Sequence, residues 1–180
     1  NATGGQWSGG AGTFNPSATD LNAVYTPSAA EIAAGTVTLT LTTTGNGNCN
    51  AASDNMTITI TPSPVADAGV DQSVCSNNAD VSLFGSVTNA AGGQWSGGLG
   101  TFTPNPNALN VVYTPTAGEI SSGNLTLTLT TTGNGTCNAE TDDIIITFTA
   151  APTADAGTPL TPCANNPDVT LNGTVTLATR

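Results

Sequence analysis

The chain has no lysine, no histidine and a single arginine, Arg180, against 12 acidic residues, for a formal net charge of −11 over 180 residues. With almost no cations to neutralise phosphates, nucleic-acid binding is excluded as a role. An anionic membrane surface is excluded on the same ground. Lacking histidine and lysine, the chain also lacks the usual catalytic bases and electrophilic clamps, which leaves only carboxylate pairs of the glycosidase kind. A small repeated unit offers no unique cleft, so the expectation is that this is not an enzyme and needs no cofactor. Charged residues make up only 7% of the chain, which excludes a charge-rich disordered tail. Aromatics are 4%, so any core must be filled by Val, Leu, Ile and Thr methyl groups. No apolar run approaches the roughly 20 residues of a transmembrane helix. The four cysteines form no C-x-x-C pair and have no histidine to share a metal with, which argues against zinc or thioredoxin-like chemistry. Lysine-free, Thr/Asn-rich composition with regularly recurring cysteines reads as extracellular and oxidised; the competing reading is four free buried thiols.

What the chain does have is repetition at an offset of 88: Trp7 returns as Trp95, Cys49 as Cys137 and Cys75 as Cys163. GGQWSGG recurs at Gly4 and Gly92, and LTLTTTGNG at Leu39 and Leu127. No insertion or deletion separates the copies, which marks a tandem array of one structural unit. Abundant Gly, Thr, Asn, Ala and Ser suit short strands joined by tight turns.

One complete unit spans Pro64–Ala151, between two Pro-rich hinges. Period-two alternation predicts strands over Val65–Val74, irregular near Gly69, and over Asp80–Thr88. Further strands are predicted at Gln94–Ser96, Thr101–Phe102, Leu109–Thr114, Asn124–Thr132 and Asp142–Thr149. TPTAGEISSG, between the fifth and sixth, is expected to hold no more than one helical turn. Seven short strands in about 90 residues, with a Trp on the third, predict an all-β chain of tandem immunoglobulin-like β-sandwiches. Trp7 and Trp95 are expected to pin the two sheets together, with Tyr25 and Tyr113 also in the core. A carbohydrate-stacking role for the tryptophans is the sharper alternative.

The phase of the repeat is informative. Residues 1–63 carry the third to seventh strands of a unit without its first two. Residues 152–180 carry those first two, with Val169, Leu171 and Val175 matching Val81, Leu83 and Val87. A sandwich lacking two strands exposes a groove and open edges, and an isolated strand pair is marginal in water. Head-to-tail strand addition between chains satisfies both, and a contact of that kind that does not close propagates a filament. The alternative is a longer covalent chain, in which Arg180 runs on into a residue such as Asn1. Arg180, where trypsin-like processing would leave a C-terminus, leans toward separate subunits.

The run PVADAGVDQSVCSNNADVSLFGSV from Pro64, GGQWSGGLGTF from Gly92, VVYTPTAGEI from Val111 and LTLTLTTTGNGTC from Leu125 resembles the Ig-like, PKD-like repeats of large secreted surface proteins of gliding Bacteroidota-type bacteria. That resemblance covers the whole chain. It implies a cell-surface or extracellular structural role, as an adhesin or filament, with no particular ligand. The third opening departs from the pattern: Pro159 replaces Asp71 and Pro162 replaces Val74.

Cys75 ends the first strand and Cys137 lies in the last turn, roughly 25 Å apart in such a sandwich. A disulfide needs Cα atoms within about 7 Å. That spacing speaks against a Cys75–Cys137 pair within one domain unless the first strand is non-standard; the candidate pairing is between subunits, Cys163 with Cys137 and Cys75 with Cys49. Asp67, Asp71, Asp142 and Asp143 are weak calcium candidates, weighed against capping turns and solvating edges. The Thr38/Thr40/Thr42 and Thr126/Thr128/Thr130 ladders suit ordinary solvent-facing strands. Asn55, Asn124, Asn134 and Asn172 open N-x-T sequons. The expected partner is the chain itself, with no membrane insertion. The rival function is an adhesin segment that binds glycan through loops such as SGGLG.

Overall fold

A computed structural model of the chain describes residues 2–176. Arg180 lies outside the described residues. The chain divides into two compact units, Asn1–Ser63 and Pro64–Arg180.

The second unit contains a complete immunoglobulin-like β-sandwich. Its elements are β6 (Val65–Asp67), β7 (Gln72–Cys75), β8 (Val81–Phe84), β9 (Ser86–Thr88), β10 (Gly92–Ser96), β11 (Thr101–Thr103), β12 (Asn110–Thr114), α2 (Ala117–Ser122), β13 (Asn124–Thr132) and β14 (Thr141–Thr149), numbered along the whole chain after β1–β5 and α1 of the first unit. One sheet runs β10-β13-β14-β7, with β7 parallel to β14 and the other pairs antiparallel. The other runs β11-β12-β8. Alternation does the packing. Leu127 and Leu129 of β13 and Ile144 and Ile146 of β14 are fully buried, while the residues between them face outward or are half-buried. Trp95 and Tyr113 fill the centre with Val81 and Leu83.

Two of the expected strands prove to be four. The predicted Val65–Val74 strand breaks at Gly69, which adopts φ 87°. Its first part, β6, pairs with β9, and its second, β7, crosses to the far sheet. The predicted Asp80–Thr88 strand breaks at Gly85. A Cβ there would lie 2.7 Å from Leu129 and 2.9 Å from Trp95, so only glycine lets the backbone pass. The TPTAGEISSG segment also exceeds the single turn expected of it. Helix α2 has six residues, because Thr116 and Glu119 form a capping box and Gly123 closes the C-terminus at φ 83°.

In the first unit, β1 (Gly4–Ser8), β2 (Thr13–Asn15), β3 (Val24–Thr26), α1 (Ala29–Ala34), β4 (Thr36–Thr44) and β5 (Ser53–Thr59) reproduce β10–β14 and α2. The register is the same: Trp7 faces Leu41 as Trp95 faces Leu129. Among the described residues the sheets here are β1-β4-β5 and β2-β3.

Beyond Ala151 the only strands among the described residues are β15 (Thr153–Asp155) and β16 (Thr174–Thr176), which pair as β6 and β9 do. Every described residue from Pro152 to Thr176 is exposed.

Candidate assembly site

In the complete sandwich, β7 zips onto β14, Phe148 opposite Val74 and Thr149 opposite Cys75. Strand β8 zips onto β12, Val111 opposite Leu83 and Tyr113 opposite Val81. Among the described residues the first unit has no counterpart of either strand, and its own strands shorten at both places. Strand β5 stops at Thr59, although its counterpart β14 runs on through Phe148 and Thr149. Strand β3 starts at Val24, whereas β12 begins two positions earlier, at Asn110. The positions that drop out of the strands match those that face β7 and β8 in the complete copy. Pairing across the sheet, rather than local propensity, extends these strands.

The side chains follow. Ile144 is 1% exposed, whereas its counterpart Met56 is 46% exposed. Trp7 and Tyr25 are half-buried where Trp95 and Tyr113 are fully buried. A cavity of about 220 Å³ opens among Trp7, Ala23, Tyr25, Leu39, Met56 and Ile58. Counterparts of these residues surround Val81 and Leu83 in the complete core.

The C-terminal segment carries the matching surface. Leu171 is 78% exposed where Leu83 is 0%, and Val169 is 45% exposed where Val81 is 1%. Val175 is exposed in β16, whereas Val87 packs against the core. Residues 160–163 and 169–172, counterparts of β7 and β8, form no strand, since no sheet pairs with them.

A polar corner supports each sandwich, and the sequence reading did not single it out. Tyr113 donates its hydroxyl hydrogen to Glu119 Oε1 at 2.7 Å, and Leu99 N–H donates to the same oxygen at 2.6 Å. Thr116 fills the other oxygen with its N–H and its hydroxyl. Burial alone would raise the Glu119 pKa, but the combined donors from Thr116, Leu99 and Tyr113 hold it below the usual carboxylate range. Burial and the neighbouring carboxylate push Tyr113 up to about 12. Glu31 repeats the pattern with Ser28, Ala11 and Tyr25, and these bonds, led by the Ser28 N–H, lower it to about 2. The recurring S/T-x-x-E spacing, SAAE and TAGE, was the available signal. This corner clamps the SGGLG loop at Leu99 and Gly100 and leaves the Leu99 side chain in solvent.

The calcium candidates are not brought together as a site. Asp67 closes its own turn on Gly69 N–H, Asp142 accepts Ala68 N–H, and Asp71 accepts Ile145 N–H. Asp143 is exposed on the outer face of β14. Among the described residues no three acidic, Cys or His side chains gather as a metal site. No disulfide joins the cysteines among the described residues. Cys75 lies level with Thr149, at the far end of β14 from the turn that holds Cys137.

No family profile and no curated protein matches the chain. Among solved structures, protocadherin gamma B7 cadherin domains 1–4 share 14% identity at a TM-score of 0.42, covering 88% of this chain and 45% of theirs. Sidekick-1 immunoglobulin domains 1–4 share 11% at 0.38, covering 84% and 44%. Mouse cadherin-23 EC22–24 shares 12% at 0.40, covering 86% and 57%. This chain thus spans about half the length of those structures.

Proposed function

We propose that the chain is an extracellular structural repeat of a cell-surface filament, assembled head to tail by β-strand complementation. Residues 152–176 of one copy supply the β7- and β8-like strands that the first unit of the next copy lacks. One observation carries this reading: the same five strands are closed by β7 and β8 in the complete sandwich and open in the first unit, while the matching apolar residues stand exposed at Val169 and Leu171. Burying Leu171, Val169 and Met56 contributes about 1.5–3 kcal/mol each, a gross gain that must exceed the cost of association. The sequence likeness to secreted repeats of gliding bacteria supports a bacterial surface as the site of such a filament. A long covalent array of the same unit would use the same strand pairing, and the intact mass of the reduced material, near 17.7 kDa or far above it, separates the two.

The test is concentration-dependent assembly of the full chain, followed by analytical ultracentrifugation and negative-stain microscopy. The expected result is linear polymers from the wild type and monomer from Leu171→Asp. Identical sedimentation of the two would overturn the reading. The rival is an adhesin that presents the SGGLG loop, held by Glu119 with Leu99 outward. Selective binding to a glycan array, abolished by Leu99→Asp, would favour it.

A further inference from the structure

We propose that Asp54 is the acceptor that sets the register of the incoming strand, by taking the backbone N–H of Ala156 from a second copy. This rests on the strand-complementation reading and assigns it a specificity-determining residue.

The complete sandwich shows the bond in place. Ala68 N–H donates to Asp142 Oδ2 at 2.8 Å, across 74 residues of sequence. Ala68 is itself 1% exposed, so this bond fixes a buried point of the first strand against the last. Asp67 prepares the donor by accepting Gly69 N–H at 2.9 Å, with Gly69 at φ 87°. Each half of this arrangement recurs separately in the chain. Asp54 holds the position of Asp142 and faces Leu41 across the ladder as Asp142 faces Leu129. It is exposed, and no hydrogen bond to its carboxylate is formed among the described residues. At the other end of the chain, Asp155 accepts Gly157 N–H at 2.8 Å with Gly157 at φ 85°. The same turn thus brackets Ala156 as it brackets Ala68, although Ala156 is exposed. The donor is therefore shaped before docking and its acceptor stands free, so little ordering remains to be done.

The bond matters because apolar contacts alone do not fix register. A slip of one residue turns every side chain of a strand to the opposite face, whereas a carboxylate–amide bond is directional. In the complete sandwich a second such bond helps, from Ile145 N–H to Asp71 Oδ1 at 2.9 Å. At the junction Pro159 replaces Asp71, so that acceptor is gone and Asp54 acts alone.

The experiment compares self-association of the full-length wild type with Asp54→Ala, Asp54→Asn and Pro159→Asp. Losing a hydrogen bond to a charged group weakens association about ten- to a hundred-fold, so Asp54→Ala should fall by that factor. Asp54→Asn keeps an acceptor oxygen and should recover most of it. Pro159→Asp restores the second acceptor, facing Thr57 N–H, and should tighten assembly. Because the Asp54 carboxylate is exposed and accepts no hydrogen bond among the described residues, unfolding of the dilute monomer should be unchanged by its replacement. If Leu171→Asp abolishes assembly while Asp54→Ala assembles within twofold of the wild type, the register proposal fails and the complementation reading stands. If the wild type does not associate at all, that reading itself fails.

Discussion

Tyr113 and Glu119, six residues apart on the strand and helix of one corner, share a 2.7 Å hydrogen bond in which the phenol donates and the carboxylate accepts. Glu119 also receives two backbone N–H groups and a threonine hydroxyl. One buried anion thereby joins the SGGLG loop, β12 and α2. Glu119→Ala leaves these donors without an acceptor and should cost at least about 2 kcal/mol, read from urea unfolding. Glu119→Gln, which keeps one acceptor oxygen, should cost less. A loss under about 0.5 kcal/mol for the alanine variant would show that the corner is dispensable.

The same corners set the acid limb of stability. Glu31 and Glu119 have folded pKa values below the unfolded value of about 4.3. Their contribution is complete above that pH and is lost as pH falls toward the folded values, about 2 for Glu31. Tyr113 has the opposite sign. Its folded pKa of about 12 exceeds the unfolded value, so its contribution is complete below about pH 10 and lost as pH rises through the folded value. Urea midpoints should be level between about pH 5 and 9 and fall on both sides. Glu119→Gln should flatten the acid limb.

Trp7 would report directly on the proposed junction. It is half-buried beside the open cavity, while Trp95 is 2% exposed. Acrylamide should quench an accessible fraction of the monomer's tryptophan emission, and that fraction should vanish on assembly with a blue shift. Trp7→Phe should show a protected tryptophan in both states. An accessible Trp7 in mature polymer would mean that the cavity stays empty.

The sandwich was legible in the sequence because its strongest signals are local. Alternation in LTLTLT and IIITF marks β13 and β14, and the repeat transfers the reading to β4 and β5. The breaks at Gly69 and Gly85 were not legible as changes of sheet. A glycine in a strand pattern announces a bend, and only packing against Trp95 and Leu129 reveals why the chain crosses there. The exposed apolar positions followed from the phase of the repeat. Asp54 did not, since a lone acid on an outer strand reads as ordinary solvation until Asp142 shows what the position holds. Of the acids weighed for calcium, Asp67, Asp71 and Asp142 each accept a backbone N–H, a use that sequence alone does not show.

The cysteines divide by position. Cys75 lies beside Thr149, eight residues along β14 from its start at Thr141, and Cys137 sits in the turn before that start. About 25 Å of strand separates them, several times the reach of a disulfide. Mild oxidation by a low-molecular-weight disulfide, which accepts the two electrons and two protons released by a thiol pair, should therefore give no Cys75–Cys137 bridge in the monomer. Peptide mapping of oxidised polymer should find Cys163–Cys137 and Cys75–Cys49 between copies. A Cys75–Cys137 peptide would contradict the β7–β14 register.

Gly85 and Gly173 hold the same place in successive repeats and have different surroundings. A Cβ on Gly85 meets Leu129 at 2.7 Å and Trp95 at 2.9 Å, so Gly85→Ala should destabilise the complete sandwich by about 1–3 kcal/mol. A Cβ on Gly173 meets only the Asp155 carbonyl oxygen, at 3.3 Å, and Gly173→Ala should leave monomer unfolding nearly unchanged. Once docked, however, Gly173 would lie against Leu41 and Trp7, the counterparts of Leu129 and Trp95. Gly173→Ala should therefore suppress polymer formation at concentrations where the wild type assembles. Equal monomer stability with lost assembly is the signature that separates docking from folding. Normal polymers from Gly173→Ala would mean that residues 169–172 do not enter the groove as β8 enters its own.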